Sequence, residues 1–229
     1  MAIVLVIVGL ILNLGIATVS SVTENRKMVE TKQALDAIED ALVVFAVSNE
    51  ANNRLPCPAA GNIQPGAANY GVEQRAGTCT ITDGRAIVPW ITLGLDERYS
   101  RDGWGRRISY IPSAALVADA ALRRGTAPIY PVANIQVLSA SAGGTTLTSA
   151  AAYVLISHGR NGAGGYSVAG TLVAGAGLTS ANETQNSDGQ SPFVQRDSNS
   201  TAANYFDDIF RWRSSGLMIQ ACGTGFCGN

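Results

Sequence analysis

The chain has 229 residues, of which 46% are apolar, so it is long enough for one main domain with a sizeable core. Its 16 Lys and Arg residues nearly balance 17 Asp and Glu residues, which argues against a nucleic-acid partner. The single histidine, His158, excludes a metal site that needs two imidazoles.

Residues 2–19 predict an apolar helix, because the segment carries no charge and only Asn13 and Thr18 are polar. At 1.5 Å per residue it would span about 27 Å, close to the thickness of a bilayer. Such a helix needs lipid or other protein chains around it. The side chains expected to face this apolar surrounding are Ile3, Val4, Val6, Ile7, Leu10 and Ile11. The alternative is a secretory signal that is cleaved near Ala17.

The helical pattern continues to Ser48 without Pro or Gly after Gly15. Apolar side chains recur here at helical spacing, which predicts a stripe that packs against a globular head. The stripe consists of Met28, Leu35, Ile38, Leu42 and Phe45. Pro56 and Pro58 end the helix. We therefore divide the chain into an N-terminal helix, residues 1–53, and a head domain, residues 54–229.

The head is predicted to be a small antiparallel sheet, so that the chain as a whole is α+β. Alternating or continuous apolar runs predict strands at 107–111, 134–139, 153–156 and 209–213, the third of them central. Residues 114–124 predict a helix. Residues 159–204 are rich in Gly, Ser, Asn and Thr and predict a long loop.

The four cysteines are Cys57, Cys79, Cys222 and Cys227, all in the head. Their even number favours two disulfides in an oxidising compartment, and their spacing contains no C-x-x-C pair typical of zinc sites. Three pairings are open. We favour Cys57–Cys79 and Cys222–Cys227, because each bond would then hold a glycine-rich stretch in place.

Catalytic patterns are absent from the sequence: there is no H-E-x-x-H, no G-x-S-x-G and no phosphate-binding glycine loop. We therefore expect no enzymatic activity. The adjacent carboxylates Asp207 and Asp208 could ligate calcium, or could simply be solvated. An alternative function, a membrane-anchored hydrolase, would use His158 with Asp102 or Asp208.

Four segments of the sequence resemble type IV pilins and the pseudopilins of type II secretion. The first is the apolar start at residues 2–11, which runs into a charged amphipathic helix. The others lie in the head and are similar to the major-pseudopilin pattern: Arg101-Asp102-Gly103-Trp104-Gly105, Ser157-His158-Gly159-Arg160-Asn161-Gly162, and Asp207-Asp208-Ile209 with Trp212.

The resemblance implies a pilin-like fold and a structural subunit of a type IV pilus or a type II secretion pseudopilus. The subunit would be anchored in the bacterial inner membrane by a single pass, with a periplasmic head, before it enters a filament of its own or of mixed pilin-like subunits. An assembly platform and a prepilin peptidase would act on it. The family also places calcium at the position of Asp207 and Asp208; no other cofactor is expected.

Family precursors begin with a basic leader and carry a glutamate early in the mature chain, followed by N-methylation of the first residue after cleavage. Met1 is therefore expected to lie downstream of the native start. A function of another class also remains open, namely a secreted binding or adhesive domain whose N-terminal signal is cleaved and whose contact surface is the 159–204 segment.

Overall fold

The computed structural model describes residues 2–48, 53–81, 86–119, 121–122, 134–175 and 180–221, with side chains for all of these except 2–20, 219 and 221. Its helices are α1 (Ala2–Ser48), α2 (Ala181–Ser187) and α3 (Ser215–Ala221), with short 3-10 helices at Glu97–Ser100, Ala114–Leu116 and Ala202–Asn204. Its strands are β1 (Ala59–Ala60), β2 (Arg75–Ala76), β3 (Thr78–Cys79), β4 (Ala86–Ile87), β5 (Arg106–Arg107), β6 (Ser109–Pro112), β7 (Ile135–Leu138), β8 (Thr146–Ser157), β9 (Tyr166–Ser167), β10 (Phe193–Val194) and β11 (Ile209–Ser214). The fold is α+β, as predicted.

Seven of the described strands form one sheet in the order β1-β4-β6-β8-β7-β10, with β11 paired to β8. β8 is central: Val154 pairs with Ile111 of β6 and with Trp212 of β11 on opposite edges. The sheet is mixed, which corrects the predicted antiparallel sheet, because β10 runs parallel to β7. The physical reason is the long connection from β8 through α2, which returns the chain to the far edge of β7.

Alternate side chains of β8 enter two different cores, which explains its continuous apolar run. Tyr153 and Leu155 pack in the cluster that contains the buried face of α1. Val154 and Ile156 pack in a second cluster, together with Phe193 of β10. The head therefore has α1 on one face of the sheet and the second apolar cluster on the other.

The buried stripe of α1 follows helical spacing: Thr31, Ala34, Leu35, Ile38, Leu42 and Ala46 are each at most 3% exposed. Of the residues expected to pack on the head, Leu35, Ile38 and Leu42 are fully buried. Phe45 is half-buried beneath the Arg54 guanidinium, 5.5 Å from its ring centre. Met28 is exposed instead, because an open cleft faces it.

A polar junction joins the end of α1 to the head. Arg54 donates two hydrogen bonds of 2.9 Å to Glu73, and Glu73 Oε2 also accepts the backbone N–H of Cys57. Cys57 and Cys79, a predicted pair, form a disulfide. The second predicted pair, Cys222–Cys227, lies outside the described residues.

Among the residues that the structure describes with side chains, no helix is long and apolar enough to cross a membrane. We correct the predicted single-pass inner-membrane location on this ground. The physical reason is charge: from Ser21 onward, α1 carries Glu24, Lys27 and Lys32, among others, and ionised side chains are costly in a hydrocarbon core. The predicted filament-core side chains Ile3, Val4, Val6, Ile7, Leu10 and Ile11 lie outside the described side chains.

Two local predictions also differ from the structure. The segment 159–204, predicted as a loop, contains β9, α2 and β10. The predicted helix at 114–124 is a 3-10 helix over Ala114–Leu116, and residues 120 and 123–124 lie outside the described residues. Helix α3, which follows the predicted last strand, was not expected from the sequence.

Candidate functional site

The three head motifs meet at one place in the fold, although up to 106 positions separate them in the sequence. Ser157 Oγ donates a hydrogen bond of 2.7 Å to Asp102 Oδ2, which links the first motif to the second. The backbone N–H of Asn161 donates to Asp207 Oδ2 at 3.0 Å, which links the second to the third. Each motif therefore supports the position of its neighbour.

The first motif holds the head against α1. Gly103 donates its backbone N–H to Thr31 Oγ1 at 2.9 Å, and Trp104 Nε1 donates to Glu24 Oε2 at 3.1 Å. A side chain at position 103 would lie 2.3 Å from the carbonyl oxygen of Lys27, so only glycine allows this approach. Asp102 Oδ1 shapes the turn by accepting the backbone N–H of Trp104 at 3.0 Å.

Three carboxylates form an acidic cluster, which we define as Glu183, Asp207 and Asp208. One oxygen from each lies within 4.8 Å of the others. Glu183 projects from α2, whereas the two aspartates immediately precede β11. Glu183 and Asp208 are 2% and 8% exposed. A group of this kind, built from oxygen donors on two separate elements, could hold a metal ion.

Hydrogen bonds orient the carboxylates without neutralising them. Glu183 accepts the N–H of Asp207 at 2.7 Å through Oε1 and the amide of Asn161 at 2.5 Å through Oε2. Asp207 Oδ2 accepts the hydroxyl of Tyr205 at 2.7 Å. Asp207 Oδ1 is buried and accepts no hydrogen bond from any described residue. This oxygen is therefore available to a cation.

Burial and mutual repulsion shift the protonation of the cluster. Burial, together with the nearby charge of Asp207, raises the pKa of Glu183 to about 7. Burial, together with the charge of Glu183, raises the pKa of Asp208 well above its usual value. A bound divalent cation would reverse both effects, because it stabilises the ionised carboxylates.

An open cleft gives the acidic cluster a route to solvent. The cleft has a volume of about 560 Å³. It lies between the part of α1 that carries Glu24, Met28 and Lys32 and the segment that leads into β11. Asp207 and Asp208 line its wall, opposite Glu24 and Met28 of α1. Solvent therefore reaches the Asp207 and Asp208 side of the cluster, whereas Glu183 does not line the cleft.

His158 lies next to the acidic cluster in an arrangement that resembles a Ser-His-Asp relay. Its Nε2 atom is 2.9 Å from Ser109 Oγ, and its Nδ1 atom is 4.0 Å from Asp208 Oδ1, which is beyond hydrogen-bond range. Burial lowers the pKa of His158 to about 4, so the ring is neutral at pH 7. Ser109 and His158 are 4% and 1% exposed, so this contact holds the strand ends together and leaves no room for a substrate at Ser109.

The sequence pointed to two members of the acidic cluster, Asp207 and Asp208, but not to Glu183. Glu183 was missed because it lies in a Ser- and Asn-rich segment without hydrophobic periodicity. The spacing Ser180-x-x-Glu183 is typical of a helix N-terminus and was the one available signal of α2. Of the two acids assigned to a hydrolase, Asp102 contacts Ser157 and only Asp208 lies near His158.

No family model, curated protein or solved structure matches the chain in comparisons with known proteins.

Proposed function

We propose that the protein is a structural subunit of a filament of the type IV pilus or type II secretion pseudopilus kind, assembled through α1. The observation that carries the proposal is the contrast between the faces of α1. One stripe is covered by the head, yet Val22, Val29 and Val44 remain 59%, 53% and 62% exposed on the same helix. Val22 and Val29 lie two turns apart and line the same shallow depression of α1, and a grouped apolar patch is typical of an interface with another protein.

The length of α1 supports the same function. A helix of 47 residues is about 70 Å long, and its first part is apolar around the whole circumference by sequence. Other copies of the same helix can cover such a surface. A head that carries one such helix can repeat without limit when each copy is related to the next by the same head-to-tail operation.

Replacing Ile7 with aspartate is expected to abolish incorporation into filaments while leaving the head folded. A carboxylate buried between apolar helices would have no partner, and burial of an unpaired charge costs more than one subunit contact can offset. The measurement is the fraction of the protein in sedimentable filaments, together with the melting temperature of the head.

The matched control is Ile91→Asp, because Ile91 is an isoleucine of the head that is already 47% exposed. This variant should enter filaments normally. Normal assembly of Ile7→Asp would contradict assembly through α1. Absence of the native protein from sedimentable filaments would contradict the filament function and favour a secreted binding domain, in which residue 7 would belong to a cleaved signal.

We further propose that the acidic cluster binds calcium. Carboxylate oxygens are hard donors that suit this ion, and the unpaired Oδ1 atom of Asp207 offers one ligand position. By joining Glu183 of α2 to Asp207 and Asp208 at the start of β11, the ion would fix α2 against the third motif. Its role would be structural: it would hold the loops of the head in one arrangement for assembly.

Calcium is expected to raise the melting temperature by about 5–10 °C above pH 7 at a concentration a hundredfold above its dissociation constant. The effect should vanish near pH 4.5. The pKa of Glu183 rises from 4.5 to about 7 on folding, so the ion-free folded state holds more protons and loses stability as pH rises between these values. Calcium removes this loss because it replaces the protons. The measurement is a series of melting curves in calcium and in EDTA across this pH range.

Glu183→Gln should abolish the calcium response, and Glu30→Gln, on an exposed part of α1, should keep it. Identical melting curves in calcium and EDTA above pH 7 would remove the ion from the proposal, without affecting the filament function.

A further inference from the structure

The segment Asn199-Ser200-Thr201 has the N-x-S/T pattern of an N-glycosylation acceptor. We propose that Asn199 is such an acceptor: its side-chain nitrogen takes an oligosaccharide from a polyprenyl-diphosphate-linked donor. The three-residue pattern alone is a weak signal, since it occurs by chance in many chains. The structure adds three observations that concern the shape of the loop, the conformation of the side chain and the space around it.

Asn199 lies at the base of a short surface loop. Its backbone exchanges two hydrogen bonds of 2.8 Å with Phe206, which closes the loop, and the Phe206 side chain is fully buried. Residues 200–204 between them are exposed. The acceptor is therefore held at a fixed place on the head while the residues that a transferase must read stand in solvent.

The side chain of Asn199 already has a conformation that suits the transfer. Its Oδ1 atom accepts the backbone N–H of Thr201 at 2.8 Å, which is an Asx turn. The turn places Thr201, the hydroxyl-bearing residue of the pattern, beside the side-chain amide of Asn199. The hydrogen bond of the turn uses the oxygen Oδ1 of the Asn199 amide and does not involve the nitrogen Nδ2, which is the reacting atom.

Open space lies on both sides of the loop. Asn199 and Ser198 line the cleft of about 560 Å³ beside α1 and also a second cavity of about 720 Å³. Trp212 of β11 lies in the wall of the second cavity. A sugar attached to Asn199 therefore has room, and it has an aromatic surface against which a sugar ring can pack.

A second N-x-S/T pattern, Asn182-Glu183-Thr184, provides a contrast within the same chain. Asn182 is 8% exposed, and its Oδ1 atom accepts the backbone N–H of Ser141 at 2.8 Å. It lies on α2 next to Glu183 of the acidic cluster. A transferase could not reach Asn182 in the folded head. Of the two patterns, the structure therefore assigns the modification to Asn199 only.

The chemistry is a nitrogen-for-oxygen exchange at a sugar carbon. Nδ2 of Asn199 forms a bond to C1 of the first sugar, the bond from C1 to the diphosphate oxygen breaks, and polyprenyl diphosphate leaves. One proton is lost from Nδ2 to the transferase or to solvent. The Cys57–Cys79 disulfide agrees with this route, because both the bond and the donor belong to an exported protein's environment.

The test is mass spectrometry of peptides from the full chain isolated from its own cells, with fragmentation that locates the sugar. The peptide with Asn199 should carry an oligosaccharide on the Asn199 side chain, and the peptide with Asn182 should not. Asn199→Gln and Thr201→Ala should each abolish the modification, whereas Thr201→Ser should retain it because serine also fits the pattern. Asn182→Gln should leave the sugar on Asn199 unchanged.

An unmodified Asn199 peptide in all of the isolated protein would overturn the proposal, as would a sugar located on Ser198, Ser200 or Thr201. Retention of the sugar in Thr201→Ala would also contradict it. The melting temperature of each variant shows whether the head is folded. The outcome is independent of filament assembly, which Ile7→Asp tests separately.

Discussion

Replacement of Gly103 with alanine is expected to destabilise the protein by about 3 kcal/mol, through the contact between the head and α1. The added Cβ would lie 2.3 Å from the carbonyl oxygen and 2.4 Å from the Cα of Lys27. Backbone atoms inside a regular helix cannot yield locally. The turn at residues 101–105 must therefore withdraw, and the hydrogen bonds to Thr31 and Glu24 are lost with it.

The measurement for Gly103→Ala is the denaturant midpoint together with hydrogen exchange of α1. Amides near Lys27 and Thr31 should exchange faster than in the native protein, while those near Leu42 change less. Gly216→Ala is the control, because no atom lies within 4 Å of the position where its Cβ would stand. Native exchange near Lys27 in Gly103→Ala would mean that the first motif does not hold the helix.

Hydrophobic patterning predicted the parts of the fold that are held by apolar side chains. Leu35, Ile38 and Leu42 recur at helical spacing and all lie in the core on one face of α1. The continuous apolar run in β8 indicated a central strand, and residues 151–157 of β8 are buried on both faces. In both elements the apolar side chains that form the sequence pattern are the same ones that are buried in the core.

The same patterning could not predict α2, because the side chains that α2 buries are polar. Asn182, Glu183 and Asn186 face inward, and each is held by hydrogen bonds to other segments. Asn186 donates a hydrogen bond to the backbone carbonyl of Val194 and accepts one from its N–H. Its side chain therefore makes the two hydrogen bonds that a neighbouring strand would make to β10. A helix of this kind has no apolar stripe, so only its tertiary partners reveal it.

The acidic cluster illustrates the same limit at the level of a site. Asp207 and Asp208 are adjacent in the sequence, so a pair of oxygen ligands could be predicted from them. Glu183 lies 24 positions before Asp207, and it reaches the pair only because β10 returns beside β7 and brings α2 with it. A parallel pairing of two residues per strand is too short to be read from a sequence.

Replacement of Gly159 with alanine is expected to cost about 3 kcal/mol of stability and to abolish the calcium response. Gly159 has φ +56°, a conformation that a side chain disfavours, and an added Cβ would lie 2.3 Å from the carbonyl oxygen of Asp207 and 2.6 Å from its Cγ. Relief of these contacts requires Asp207 to move away from Asn161 and Glu183. The acidic cluster would then lose the geometry in which three carboxylates converge.

Gly105→Ala separates the two contributions to this effect. Gly105 has φ +77°, so the backbone strain is similar, but no atom lies within 4 Å of its Cβ position. It should lose about 1–2 kcal/mol from strain and keep the full rise in melting temperature with calcium. If Gly159→Ala also kept that rise, the ion would not depend on Asp207. If both variants lost it, the response would reflect general loosening of the head and not the convergence of α2 and the third motif on one ion.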